Sequence, residues 1–190
     1  MAASSLPLAP DFILPNLVFN EAGTGRTFRT ADLMGSKGLL LGIICNHCPY
    51  VIHIAPTLSK VLNALQELGY GAALISANDP VSYPQDSPER MLEWARHYSI
   101  PVPYVFDADQ SQAKALFGSC TPEFTLFSSQ GKPIYRGRFD DSNHKNGIQS
   151  TGIDLFNAAQ AWAEGKNPAQ PYLPSTGCSI KWLPGNEPEY

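Results

Sequence analysis

The run Leu39-Leu40-Leu41-Gly42-Ile43-Ile44-Cys45-Asn46-His47-Cys48-Pro49-Tyr50 constrains this chain more than any other feature. An apolar strand, of the kind covered on both faces, empties into a Cys-x-x-Cys pair, and the pair opens a helix. A helix N-terminus presents unpaired amide N–H groups and the positive end of the macrodipole, and both stabilise a thiolate. Two thiols so close can join in a disulfide and reopen, so the placement points to a redox-active dithiol. Cys45, at the expected exposed helix tip, is the sulfur that attacks a partner disulfide; Cys48, one turn in, resolves the mixed disulfide. Pro49 suits the first helical turn, where its missing donor would be unpaired anyway. His47 stands between the sulfurs, where an imidazole donates to the thiolate and makes the disulfide a better oxidant. The competing readings are half of a zinc site, or two inert buried thiols.

The 190 residues suit one α/β core with insertions, and the 43% of apolar residues is enough to fill it. No segment is apolar for long enough to span a bilayer. The opening Met1-Ala2-Ala3-Ser4-Ser5-Leu6-Pro7 has neither a basic n-region nor an apolar h-region, so no signal peptide is expected and the expected location is cytoplasmic. There, paired thiols tend to be catalytic, redox-sensing or metal-binding. A net charge of −4 argues against nucleic acid or an anionic membrane as partner. His53, His97 and His144 are too scattered to argue a metal site, and no cofactor is implied.

Residues 1–10 read as a flexible lead-in, 11–166 as the domain and 167–190 as a tail. An N-terminal hairpin turns at Gly23-Thr24-Gly25, and Thr30 caps a short helical turn. After the dithiol, Leu58, Val61, Leu62, Leu65 and Leu68 form a helical stripe, with a kink expected at Pro56. Strands are expected at 72–76 and 102–106. Residues 78–86 read as an irregular polar loop, Ser87 as the cap of the next helix, and Asp109 with Gln112 as a capping box for another. A hairpin turns at Gln130-Gly131-Lys132, and a last helix runs over 153–163. Arg136, Arg138, Asp140 and Asp141 read as a solvated ion-pair cluster. The tail carries Cys178, Ile180, Trp182 and Leu183, which rarely stay in water together, so it is expected to fold back. The fold class is therefore a mixed-sheet α/β layer fold.

Cys120-Thr121-Pro122-Glu123-Phe124 is the second chemical signal, since a Thr-Pro step just before a strand is where a cis proline can sit. Residues 9–12 (Ala-Pro-Asp-Phe), 45–51, 120–124, 135–141 and 177–182 together resemble the thioredoxin superfamily, and within it the AhpC/TSA-type, peroxiredoxin-like redoxins, nearly end to end. The resemblance implies a thioredoxin-like fold in which Pro122 is the cis proline facing the dithiol. It also implies that the backbone at Thr121 offers strand-like hydrogen bonds to a bound peptide. Several positions depart from the pattern. Ile44 precedes the first cysteine in place of Trp, and Asn46-His47 replaces Gly-Pro. No carboxylate lies in strand 38–44. Aligned on Cys48, Leu41 and Cys45 stand at the proline and Thr/Ser of a peroxidatic frame, and Thr121-Pro122 at its arginine, which predicts that peroxide is a poor substrate.

The expected function is thiol–disulfide exchange through Cys45 and Cys48 with disulfide-containing proteins or small thiols, recharged by a thiol reductant system. His47, Thr121, Pro122, Cys120 and Cys178 are accessory candidates. The alternatives are a thioredoxin-dependent thiol peroxidase and a non-catalytic zinc-binding or interaction module.

Overall fold

The computed structural model describes residues 2–190. Along the chain lie β1 (Ala2–Ser4), β2 (Val18–Asn20), β3 (Thr27–Arg29), α1 (Thr30–Leu33), β4 (Gly38–Ile43), α2 (Pro49–Glu67) and β5 (Tyr70–Ser76). A 3-10 turn (Pro84–Asp86), α3 (Pro88–His97), β6 (Tyr104–Phe106), α4 (Ser111–Ala115), β7 (Cys120–Thr121) and β8 (Glu123–Ser128) follow. The chain closes with β9 (Pro133–Gly137), α5 (Ile153–Ala163), β10 (Tyr172–Leu173) and β11 (Thr176–Ser179). Among the described residues the strands form a six-stranded sheet ordered β10-β9-β8-β4-β5-β6, a three-stranded sheet β1-β11-β7 and the hairpin β2-β3. β4, β5 and β6 run parallel, and β8 is antiparallel to both β4 and β9.

The alternation of a strand divides the core. Leu40 points to the side covered by α2 and α5, where Leu58, Leu62 and Leu155 pack; Leu39, Leu41 and Ile43 point to the other, with Phe19 and Leu116. All of β4 is buried, as its unbroken apolar run requires. Gly42 leaves room that a side chain would close: a Cβ there would lie 2.9 Å from both Leu74 Cδ2 and Phe124 Cε1. α2 buries Val51, Ile54, Ala55, Leu58, Val61, Leu62 and Leu65, and Pro56 lies inside it. Each buried leucine is worth roughly 1.5–3 kcal/mol. Ser87 caps α3, its hydroxyl accepting from the Arg90 amide at 3.4 Å. α4 is held by a different carboxylate than expected: Asp107, not Asp109, accepts from the Gln112 and Ala113 amides.

Two other readings need correction. The lead-in 1–10 is not free: Ala2–Ser4 pairs antiparallel with Thr176–Cys178, and Ser5 is buried beneath Ser175. Its small residues, Ala2, Ala3 and Ser4, carry little β-propensity, and the strand exists because the tail offers it an edge. Met1 lies outside the described residues. The charged patch is only in part a solvated cluster: Asp141 is exposed and Arg138 part-exposed, but Arg136 and Asp140 are buried. Arg136 is 3% exposed and pairs with the buried Glu123 beneath the sheet, while Asp140 accepts from the Thr151 and Gly152 amides at the start of α5. Arg138 pairs with Asp154 at 2.7 Å, part-exposed. The tail 167–190 returns over the domain, adding β10 beside β9 and β11 beside β7, with Ile180 buried.

Candidate active site

β4 ends at Ile43, and the chain passes through Cys45-Asn46-His47 before α2 begins at Pro49, which makes Cys48 the N-cap. Its carbonyl accepts the first helical hydrogen bond from the Ile52 amide at 2.9 Å. Both sulfurs are buried, Cys45 at 1% exposure and Cys48 at 0%, so Cys45 is not an exposed helix tip. Both face Thr121, which precedes the cis Thr121-Pro122 bond. Cys45 Sγ lies 3.5 Å from Thr121 Oγ1, and the Cys48 thiol donates to the Thr121 carbonyl at 3.2 Å.

The acidity of the pair is the reverse of the sequence expectation. A hydrogen bond from Cys45 pulls the Cys48 thiol down to about 4 against the cost of burial, helped by Cys178, Thr121 and the Val51 amide. Cys45 is pushed well above the ordinary thiol range by that same hydrogen bond to Cys48, by burial and by the charge of Asp86. The order follows chiefly from the hydrogen bond between the two sulfurs, to which the Val51 amide in the first turn of α2 adds on Cys48. Of the two sulfurs, Cys48 is the one whose surroundings favour the thiolate.

Asp86 is the residue that the sequence did not flag. It comes from the 3-10 turn within the loop read as irregular, is fully buried, and accepts from the Asn46 amide at 2.8 Å, the His47 amide at 3.3 Å and Asn78 Nδ2 at 2.7 Å. His47 Nδ1 meets it at 2.6 Å. The His47 ring thus addresses Asp86 rather than a thiolate, and it stacks on Tyr83 with centroids 5.1 Å apart. Asn46 bridges the loop to the core, donating to the Gln85 carbonyl and accepting from the Tyr104 hydroxyl. The tail braces the same loop through a Lys181 amide to Asn78 bond of 2.8 Å. Cys45, His47 and Asp86 bring potential metal-ligating atoms within 4.8 Å of one another. The four donors already on Asp86 are the internal use of that carboxylate. One signal could have drawn attention to it: an acid in the loop beyond the carboxyl end of a central parallel strand, where sites gather in α/β sheets.

The remaining candidates divide. Thr121 and Pro122 sit against the dithiol. Cys178 pairs with Thr121 across the sheet and packs on the cluster that holds both sulfurs. Its thiol is pushed up to about 11 by burial and by Cys48. Cys120 is fully buried, and burial followed by the charge of Glu123 drives its thiol far above the ordinary range. The backbone edge at Thr121, expected to receive a peptide, is occupied by the chain's own β11.

The AhpC/TSA family profile matches residues 7–138. An uncharacterised conserved protein of Geobacillus kaustophilus is 36% identical, with 97% of this chain and 98% of that one aligned at a TM-score of 0.93. A hypothetical protein of Sinorhizobium meliloti is 35% identical over 96% and 99% of the two chains, with a TM-score of 0.91. A secreted disulfide oxidoreductase of Mycobacterium tuberculosis, homologous to DsbE of Escherichia coli, shares the fold at 18% identity, over 77% of this chain and 96% of that one, with a TM-score of 0.59. No curated protein matches the chain. The molecule is a thioredoxin-like redoxin. The chain belongs to the AhpC/TSA family.

Proposed function

We propose that the protein is a thiol–disulfide oxidoreductase whose working pair is Cys48 and Cys45. The observation that carries this reading is Cys48 at the N-cap of α2, with the Cys45 sulfur hydrogen-bonded to it and Thr121 Oγ1 3.5 Å from Cys45 Sγ. Cys48 as thiolate attacks one sulfur of a partner disulfide; the mixed disulfide forms and the partner's other sulfur leaves as a thiolate. Cys45 then gives up its proton and attacks Cys48 Sγ, closing the Cys45–Cys48 disulfide and releasing the reduced partner. Thr121 Oγ1, 3.5 Å from Cys45 Sγ, donates to that sulfur as its charge develops. A thiol reductant reverses the cycle, in a compartment such as the cytoplasm that keeps thiols reduced.

Thiol counting and disulfide mapping after mild oxidation test the reading. Two thiols should disappear into an intramolecular disulfide between members of the site, and Cys48→Ser should abolish turnover of a disulfide substrate. Retention of turnover in that variant refutes the assignment. The acidified Cys48 also favours a second reading, reduction of a peroxide at that sulfur. Stopped-flow oxidation with hydrogen peroxide separates the two: a rate near that of a free thiolate keeps exchange as the function, and one far above it makes the protein a thiol peroxidase.

A further inference from the structure

A buried dithiol needs a route to solution, and the tail provides a sulfur on the right face. β11 lies antiparallel to β7 with Cys178 opposite Thr121 and Ser179 opposite Cys120. Directly opposed residues of an antiparallel pair place their side chains on the same face of the sheet. The Thr121 side chain reaches Cys45, so its face is the dithiol face, and Cys178 shares it. Cys120, one residue along, points to the opposite face by the period of two. Gly177 permits the close approach: a Cβ there would lie 2.0 Å from the Thr121 carbonyl oxygen. Cys178 is half-buried whereas Cys45 and Cys48 are closed off.

We propose that Cys178 is a third redox thiol, which takes over the disulfide from Cys45 and serves as the port through which small thiols reach the buried pair. The idea rests on the Cys45–Cys48 reading above. In the oxidised protein, Cys178 as thiolate attacks Cys48 Sγ. The Cys48–Cys178 bond forms, the Cys45–Cys48 bond breaks, and Cys45 leaves and takes up the proton that Cys178 lost. No net oxidation occurs. A small thiol, as thiolate, next attacks Cys178 Sγ and expels Cys48 as the thiolate. A second molecule of the thiol attacks the mixed disulfide, releasing the small disulfide and the Cys178 thiolate. Two thiols are oxidised and one protein disulfide is reduced.

Two features support the direction of attack. Cys178 is the most accessible of the three sulfurs and hydrogen-bonds with Cys48, which sets it against that sulfur. Once the Cys48–Cys178 bond exists, Cys48, the most acidic, is the good leaving group when a small thiol attacks Cys178. The substrate class follows from the occupied edge. A folded protein partner must displace β11 before its backbone can pair with Thr121, but a small thiol needs no displacement.

The test uses the full chain. Cys45→Ser, and Cys45→Ala as a second variant, are reduced, oxidised with diamide and mapped by mass spectrometry. The expected product is an intramolecular Cys48–Cys178 disulfide with Cys120 still free. Cys178 left free, or Cys48 linked only between molecules, in both variants overturns the proposal. The oxidised wild type and the oxidised Cys178→Ser variant are then reduced with mercaptoethanol. Loss of the tail thiol should slow reduction about tenfold or more, as expected for a buried disulfide deprived of its accessible sulfur, and equal rates overturn the relay. If Cys178→Ser still forms a Cys45–Cys48 disulfide while the Cys45 variants form no pair, only this inference fails. If Cys178→Ser and the wild type form no disulfide at Cys48 at all, the dithiol function fails with it.

Discussion

Strand β7 separates two buried thiol environments that differ in everything except burial. On one side lies Cys48, fully buried yet strongly acidic, because it receives hydrogen bonds from Cys45 and then Cys178 and Thr121, with the Val51 amide of α2 behind them. On the other lies Cys120, equally buried, beside the Glu123 carboxylate that Arg136 neutralises. Desolvation pushes both sulfurs the same way. The outcome is decided by donors: Cys48 has them and Cys120 faces a negative charge. Burial alone does not tell a reactive cysteine from an inert one; what surrounds the sulfur does.

The largest effect expected from this contrast is in alkylation. At mildly acidic pH a small alkylating agent should label Cys48 before Cys45 and leave Cys120 untouched, with a rate difference between Cys48 and Cys120 on the order of a thousandfold or more, from thiolate fraction. Peptide-resolved mass spectrometry reads it. Comparable labelling of Cys48 and Cys120 would erase the distinction. Next in size is the ion pair. Arg136 also donates to the Leu6, Leu116 and Phe117 carbonyls and to Thr125, so it organises the inert side. Glu123→Ala should cost about 3–5 kcal/mol in denaturant unfolding, because it strands a buried guanidinium. The double variant Glu123→Gln with Arg136→Met should recover part of that loss. If Glu123→Ala is neutral, the pair is not what stabilises this side.

The pH dependence of stability should differ between redox states. The folded Cys48 thiol is depressed to about 4 from an ordinary value of 9.0. Across that window the reduced folded chain binds fewer protons at this site than the unfolded chain, so its stability rises with pH. The contribution is fully present above the unfolded value and is lost as pH falls through about 4. Cys45 has the opposite sign: raised in the folded state, it adds stability below the ordinary thiol range that disappears at more alkaline pH. The reduced protein should therefore gain stability between about pH 5 and pH 8, and Cys48→Ser should flatten that gain. The oxidised protein, with no free Cys48, should lack the slope in denaturant titrations at both pH values.

What could be read in the sequence was what local physics decides. The apolar run 38–44, the caps Ser87 and Pro49, the hairpin at 130–132 and the Thr121-Pro122 step all act within a few residues of themselves. The dithiol was legible for the same reason, its two cysteines being neighbours. Its polarity was not. Which sulfur ionises depends on where α2 begins to within one residue, on Asp86 forty positions from Asn46, and on a tail strand from the far end of the chain. β1 escaped notice because Ala2-Ala3-Ser4 has no pattern of its own and pairs with that same tail. Arg136 was misjudged because its partner Glu123 sits on another strand, and a charge looks solvated until its counter-charge is located.

The smallest expected effect concerns the edge of the reactive side, where Asp86 and His47 adjoin Cys45. The hydrogen bond to Cys48 and burial both outrank Asp86 in raising the Cys45 thiol. Removing the carboxylate charge with Asp86→Asn should therefore lower the Cys45 value, but by less than Cys48→Ser lowers it. The amide keeps an acceptor for the Asn46 and His47 amides, so the loop should hold its path, at a stability cost of about 1–3 kcal/mol from the weakened bonds. His47→Ala should act in the opposite direction, since it removes the group that meets Asp86 Oδ2 at 2.6 Å and leaves that charge less compensated beside Cys45. The pH dependence of Cys45 alkylation in the three variants orders these effects. If Asp86→Asn moves Cys45 further than Cys48→Ser does, the carboxylate and not the neighbouring sulfur sets the acidity of the pair, and the reactive side would owe its character to the loop rather than to the hydrogen bond between the two sulfurs.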